Sequence, residues 1–145
     1  MNALGKIDFF QMLLGHWNFT RQIPGHGSMS GTSVFEPVSE GRAEYFEFGE
    51  LALRNGERLR AERRYVYEVM GGGFTVYFHE TGEIFERVVF VEQEGGVWKV
   101  SANHVCDKDV YESEYCFPMD GTFAVRHAVR GPKKDYLIRT IYRRD

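Results

Sequence analysis

The sequence predicts an all-β chain: an antiparallel up-and-down β-barrel of about eight to ten strands behind a short N-terminal helix. Three observations predict it. From Trp17 to Tyr142 almost every segment alternates apolar with polar residues, the period of a strand with one face turned inward. Turn signals recur about every 8–12 residues, the spacing of antiparallel sandwiches and barrels. Aromatic residues make up 15% of the 145 positions, with 12 Phe and 8 Tyr against only 4 Pro, which favours strands. The strands follow one another as hairpins with no long crossover, which favours a barrel over a sandwich. Closure also removes the edges that such aromatic strands would expose.

Each element follows in order. Lys6 to Leu14 forms a short amphipathic helix, with Ile7, Phe10, Leu13 and Leu14 at helical spacing, and Gly15 stops it. GHWNFTRQI is the first strand and places Trp17, Phe19 and Arg21 on one face. A glycine-rich turn from Pro24 to Gly27 leads into SMSGTSVFEPV, and Pro37, Ser39 and Gly41 mark the next corner. RAEYFEFGELAL then runs to Asn55-Gly56, the strongest hairpin signal in the chain. RLRAERRYVYEVM sets Ala61, Arg63, Tyr65, Tyr67 and Val69 on one face. Gly71-Gly72-Gly73 turns into FTVYFHE and Thr81-Gly82 into EIFERVVFV; VWKVSANHVC and VYESEYCF follow. Asp120-Gly121 turns into TFAVRHAVRG, and DYLIRTIYRR closes the series. No polar linker divides these segments, so residues 1–145 read as one barrel domain.

Composition excludes several classes. A net charge of -3 argues against nucleic acid or an anionic membrane as partner, since acidic residues interleave with basic clusters such as Arg60, Arg63 and Arg64. The first apolar stretch, Phe9 to Leu14, is too short for a signal peptide, and no run approaches the ~20 apolar residues of a membrane helix. Cys106 and Cys116 are too few for a disulfide scaffold and are expected as reduced thiols, with a cytoplasmic location. No phosphate loop, Ser-His-Asp order, Gly-x-Ser-x-Gly, HExxH or dinucleotide fingerprint occurs.

The positions that should fill the barrel are studded with Tyr, His and Arg. A closed sheet with a partly polar interior keeps a cavity, and a cavity takes a ligand. His104-x-Cys106-x-x-Asp109-x-Tyr111, with Tyr115, could gather imidazole, thiol, carboxylate and phenol near one mouth. Equally, Asp109 could cap the turn, His104 bond backbone and Cys106 act as a small hydrophobe. Arg63 with Tyr65 and Tyr67 is the second cluster: an inward Arg63 would hold a ligand carboxylate or phosphate, or pair with an internal Glu such as Glu47, or sit at the rim. Arg21, Arg87 and His127 pose the same question on their own strands. Trp17 is expected to plug the core, and the lysines of Gly131-Pro132-Lys133-Lys134-Asp135 to be solvated. Zinc at His104 and Cys106 would need one or two more ligands, for which His127 and Asp109 are the candidates, and haem held by a single His (His104, His127 or His79) ranks below it. No metal or cofactor is therefore expected.

Helix, then Gly15-His16-Trp17 at the head of strand one, then successive up-and-down strands resembles the lipocalin-like (calycin) barrels. That resemblance implies an indole plugging the closed end under a basic side chain from the last strand, a role for Arg139 or Arg143. The lipocalin export signal and disulfides are lacking. The chain also resembles a small, mostly bacterial family described only as a domain of unknown function. The likeness rests on Gly15-His16-Trp17-Asn18-Phe19-Thr20-Arg21, on Arg63-Arg64-Tyr65-Val66-Tyr67, on His104-Val105-Cys106-Asp107-Lys108-Asp109-Val110-Tyr111 with Tyr115, and on Gly131-Pro132-Lys133-Lys134-Asp135-Tyr136. His79-Glu80-Thr81-Gly82 departs from that pattern, which has Asp-Gly, a basic residue and Phe-His. The family implies a fold and no reaction.

Two function classes follow. In the first, the barrel binds a small organic molecule with a carboxylate or other polar head, through Arg63, Tyr65, Tyr67, His104, Tyr111, Tyr115 and His127. In the second, His104, Asp109 and Tyr111 form an acid–base set for an isomerase, cyclase or lyase. A filled barrel acting through its surface, as a homodimer along an edge strand, is a third possibility.

Overall fold

The computed structural model describes residues 6–92, 98–106, 108–118 and 120–144, with side chains described for 9–91, 108–118 and 120–144. Helix α1 (Lys6–Leu13) precedes ten strands among these residues: β1 (Gly15–Ile23), β2 (Gly27–Ser39), β3 (Arg42–Leu53), β4 (Arg58–Met70), β5 (Gly73–Phe78), β6 (Ile84–Glu92), β7 (Trp98–Cys106), β8 (Asp109–Phe117), β9 (Thr122–Arg130) and β10 (Asp135–Arg143). Each strand pairs antiparallel with its neighbours in sequence, and β1 closes against β10, so the sheet is a complete barrel. Strand alternation sets the lining. On β1 Trp17, Phe19 and Arg21 are buried, and on β3 so are Ala43, Tyr45, Glu47 and Gly49. Glu86 is buried on the same face of β6 as Val88, and a register shift at Val76/Tyr77 in the β5–β6 pair half-buries Phe85 beside it.

Close coiling of β2 against β3 depends on a glycine pair. Gly31 and Gly49 stand directly opposite each other, and a Cβ on Gly31 would lie 2.1 Å from the Phe48 carbonyl oxygen. A side chain at either position would push the two backbones apart, so glycine is required for this curvature.

One end of the barrel is sealed. Helix α1 turns Phe9, Phe10 and Leu13 inward; Phe9, outside the face expected from helical spacing, is the deepest of them. Its ring stacks on Phe74 at 5.5 Å and meets Phe90 and Phe117 edge-on at 4.7 and 4.9 Å. The side chain of Ile7 lies outside the described residues. Trp17 fills the same end: its ring meets Phe123 at 4.7 Å and its Nε1–H donates to the Leu13 carbonyl at 2.9 Å.

The cation over the Trp17 indole is Arg144, 3.9 Å from the ring centroid, and not Arg139 or Arg143. Strand parity explains the correction. Arg139 and Arg143 alternate with the buried Thr140 and Tyr142, so they face outward. Arg144 lies just past the strand and folds back over the end. There it also donates to the carbonyls of Leu14 (2.7 Å), His16 (3.1 Å) and Met12. Gly15 permits this: its φ is +102°, and a Cβ would stand 3.0 Å from the Arg144 guanidinium. Among the described residues no helix is long and apolar enough to cross a membrane.

Candidate ligand-binding site

The opposite end carries the β1–β2, β3–β4, β5–β6, β7–β8 and β9–β10 connections, and beneath them the lumen holds a cavity of about 300 Å³. Its floor is a buried polar network. Arg21 and Glu47 form a bidentate pair at 2.7 and 2.9 Å, with Glu47 only 1% exposed. The Arg21 Nε–H donates to Thr140 Oγ1 at 2.9 Å, its neighbour in the β1–β10 register. Tyr45 donates its hydroxyl to Glu47 at 2.6 Å, so the 2.9 Å contact between the Tyr45 and Tyr142 hydroxyls is a donation from Tyr142. Every polar atom of the ion pair thus has a partner inside the protein.

This network sets the protonation of the lumen. Burial opposes ionisation of Glu47, but the Arg21 hydrogen bonds and charge outweigh it and hold the carboxyl below its usual range. Burial drives Tyr45, Tyr67 and Tyr115 well above the usual phenol range, with the charges of Glu47 or Glu86 adding to it, and Tyr142 is pushed up to about 12. The lumen phenols therefore remain protonated donors. Tyr115 donates a hydrogen bond from its hydroxyl to Glu86, buried on β6.

On the β8–β9 wall, Ser113 Oγ lies 2.6 Å from His127 Nδ1, and the two residues are register partners. Burial lowers the His127 pKa to about 4, with the Arg21 and Arg63 charges acting in the same direction. At neutral pH the ring is uncharged and a weak base. That suits it to hydrogen bonding and makes it a poor general base.

Of the residues singled out in the sequence, Arg63, Tyr65, Tyr67, Tyr111, Tyr115 and His127 all border the cavity. Arg63 is directly opposite Glu47 in the β3–β4 register, yet Glu47 is committed to Arg21. Arg63 instead sits exposed at the mouth, and among the described residues no carboxylate lies within ion-pairing distance of it. Its charge acts on Tyr65, Glu47 and His127.

Of the acid–base candidates whose side chains are described, Tyr111 borders the cavity and Asp109 does not. Asp109 pairs with Lys134 at 3.3 Å. Lys134, exposed at the hairpin tip, also donates to the Tyr111 hydroxyl at 3.4 Å. The Asp109 carboxylate packs on Gly131, where a Cβ would sit 1.9 Å from Asp109 Oδ1, so this approach requires glycine. Two sequence stretches, Asp109-x-Tyr111 and Gly131 to Tyr136, therefore meet at the mouth. His104 stands opposite Tyr111 in the β7–β8 register, but its side chain and that of Cys106 lie outside the described residues. Cys116 is a free thiol. His79, a haem candidate, contacts Glu44 at 3.7 Å away from the lumen, and Arg87 is exposed. Among the described residues no three His, Cys, Asp or Glu side chains gather as a metal site.

Residues 13–144 match the Family of unknown function (DUF6314). The chain belongs to this family. No curated protein matches it. Among solved structures it is similar to Rv2717c from M. tuberculosis, with 14% identity over 99% of this chain and 100% of that one and a TM-score of 0.64. It is also similar to the S-type phycobiliprotein lyase CPES from Guillardia theta, with 12% identity over 95% of this chain and 91% of that one and a TM-score of 0.60. At such identities the likeness is one of fold: a lipocalin-like antiparallel barrel.

The floor residues Tyr45, Thr140 and Tyr142, the Ser113 hydroxyl and the mouth residue Tyr136 did not stand out in the sequence. Parity held the signal for the first three. Trp17 in the core puts Arg21 in the lumen, and a buried guanidinium requires a carboxylate on a nearby inward position.

Proposed function

We propose that the barrel binds a small organic anion in its lumen, with the anionic head on Arg63 at the mouth. One contrast carries this: Arg21 is fully neutralised by Glu47, whereas Arg63 borders the same cavity with no described carboxylate to pair with. A guanidinium at the lip of a low-dielectric cavity attracts a carboxylate and offers it two parallel hydrogen bonds. The cavity of about 300 Å³ is at the lower end of the range for ligand pockets. Tyr65, Tyr111 and Tyr136 add phenol groups around the opening, and Val125, Val129 and Ile138 give the body of the ligand an apolar wall.

The test is a matched-pair titration. Carboxylic acids and their neutral primary amides, of equal shape, are titrated calorimetrically into wild type, Arg63→Ala and Arg63→Lys. Acids should bind wild type at least about tenfold more tightly than their amides, the value of one charge-assisted contact. Arg63→Ala should erase the difference and Arg63→Lys keep part of it. Equal affinity for acid and amide, or an undiminished preference in Arg63→Ala, overturns the proposal.

A further inference from the structure

We infer that the ligand is a single-ring aromatic monocarboxylate carrying a hydroxyl at the end of the ring remote from the acid, the hydroxyl being read by His127. This rests on the anion-binding proposal above and specifies its ligand class. Three features of the lumen point to it.

The first is reach. Along the closed order of ten strands, β4 and β9 lie five steps apart in either direction, so Arg63 and His127 approach from opposite walls. Ten strands at the usual spacing and tilt enclose a barrel about 20 Å across at the backbone. An arginine and an imidazole reaching in from both sides leave room for one ring and its substituents. The volume agrees: about 300 Å³ is the space of roughly ten water-sized groups.

The second is the shape of the wall. Tyr65 and Phe85 stack at 5.5 Å with 13° between their planes, and Phe85 and His127 approach to 6.3 Å. Flat π faces beside the cavity pack a planar ring with more contact than a flexible chain.

The third is an available nitrogen. His127 Nδ1 is engaged by Ser113, while no described group bonds Nε2 and the ring borders the cavity. Because the ring is neutral, Nε2 either donates or accepts, depending on which partner of the Ser113 contact holds the proton. A hydroxyl does both, so it satisfies either tautomer. Burial and the two nearby guanidinium charges keep the ring in that neutral state.

The experiment titrates benzoate, 4-hydroxybenzoate, heptanoate and 2-naphthoate into wild type, Arg63→Ala and His127→Phe. Benzoate and heptanoate have equal numbers of non-hydrogen atoms, so they separate ring from size. Wild type should bind benzoate more tightly than heptanoate or 2-naphthoate, and 4-hydroxybenzoate about fivefold more tightly still, the effect of one neutral hydrogen bond. His127→Phe should remove the fivefold gain and leave benzoate binding. The 15N resonance of His127 Nε2 in wild type should shift on adding 4-hydroxybenzoate and not benzoate, a readout that needs no variant. If acids bind through Arg63 but heptanoate or 2-naphthoate equals benzoate, the ligand class is wrong and the anion site stands. If the hydroxyl brings no gain and Nε2 does not shift, the role of His127 is wrong. If none of the four acids binds, both inferences fall.

Discussion

Removing the Glu47 carboxylate tests the physics of the lumen floor. Glu47 and Arg21 are 1% and 5% exposed and joined by two hydrogen bonds, with Tyr45 and Thr140 completing their coordination. Glu47→Ala leaves a buried guanidinium without a counter-charge, which costs about 3–5 kcal/mol. For a chain of this size, each kcal/mol shifts Tm by about 2–4 °C, so a fall of roughly 6–20 °C is expected. The double variant Arg21→Met/Glu47→Leu removes both charges and fills the space with apolar groups, so it should recover most of that loss. Urea denaturation of wild type, Arg21→Met, Glu47→Leu and the double variant gives the coupling energy directly. The pH dependence has a definite sign. Glu47 is held below its usual 4.5, so its stabilisation is complete above that pH and lost as pH falls through the folded value. A loss below about 1 kcal/mol in Glu47→Ala, the scale of an exposed pair, would refute the claim that this pair is desolvated.

Other outcomes follow from the same geometry. Arg144→Ala removes a cation–π contact and three carbonyl partners at the sealed end, so a loss of about 2 kcal/mol and a red-shifted tryptophan emission are expected. Gly15→Ala forces a Cβ into a left-handed backbone against Arg144 and should cost about 1–2 kcal/mol by thermal denaturation. NMR titration should place the His127 midpoint at about 4, and Arg63→Ala should raise it by removing a positive neighbour. Because the unfolded chain takes up that proton nearer 6.5, stability should decline as pH falls from about 6.5 to about 4, by on the order of 3 kcal/mol, and His127→Phe should flatten that part of the profile.

Much of the barrel was legible because turn chemistry and alternation agree. GHWNFTRQI, RAEYFEFGELAL and RLRAERRYVYEVM coincide with β1, β3 and β4 residue for residue. Periodicity misleads where the strand pattern is interrupted. The irregularity at Val76/Tyr77 turns Phe85 toward the lumen out of step with Glu86 and Val88, and Arg144 acts from beyond the end of its strand. Helical spacing overlooked Phe9 because a helix of eight residues capping a barrel is enclosed on more than one side.

The site was legible as a set of residue types and not as a set of pairings. Arg63, Tyr65, Tyr67, Tyr111, Tyr115 and His127 border one cavity, while the side chain of His104 lies outside the described residues. Which guanidinium holds Glu47 depends on how far Arg21 reaches across β2 at Gly31, and no strand-by-strand pattern contains that distance. The same holds for Asp109, whose partner Lys134 arrives from a hairpin more than twenty residues away.

Intermolecular NOEs from bound benzoate to the protein test the central claim most directly. A ligand inside the lumen should show contacts from its ring protons to the methyl groups of Val125 and Ile138, both on the cavity wall, and Arg63→Ala should weaken them at equal benzoate concentration. Contacts confined to Val89 and Ile141 on the outer face, or none at all at saturating benzoate, would contradict the account.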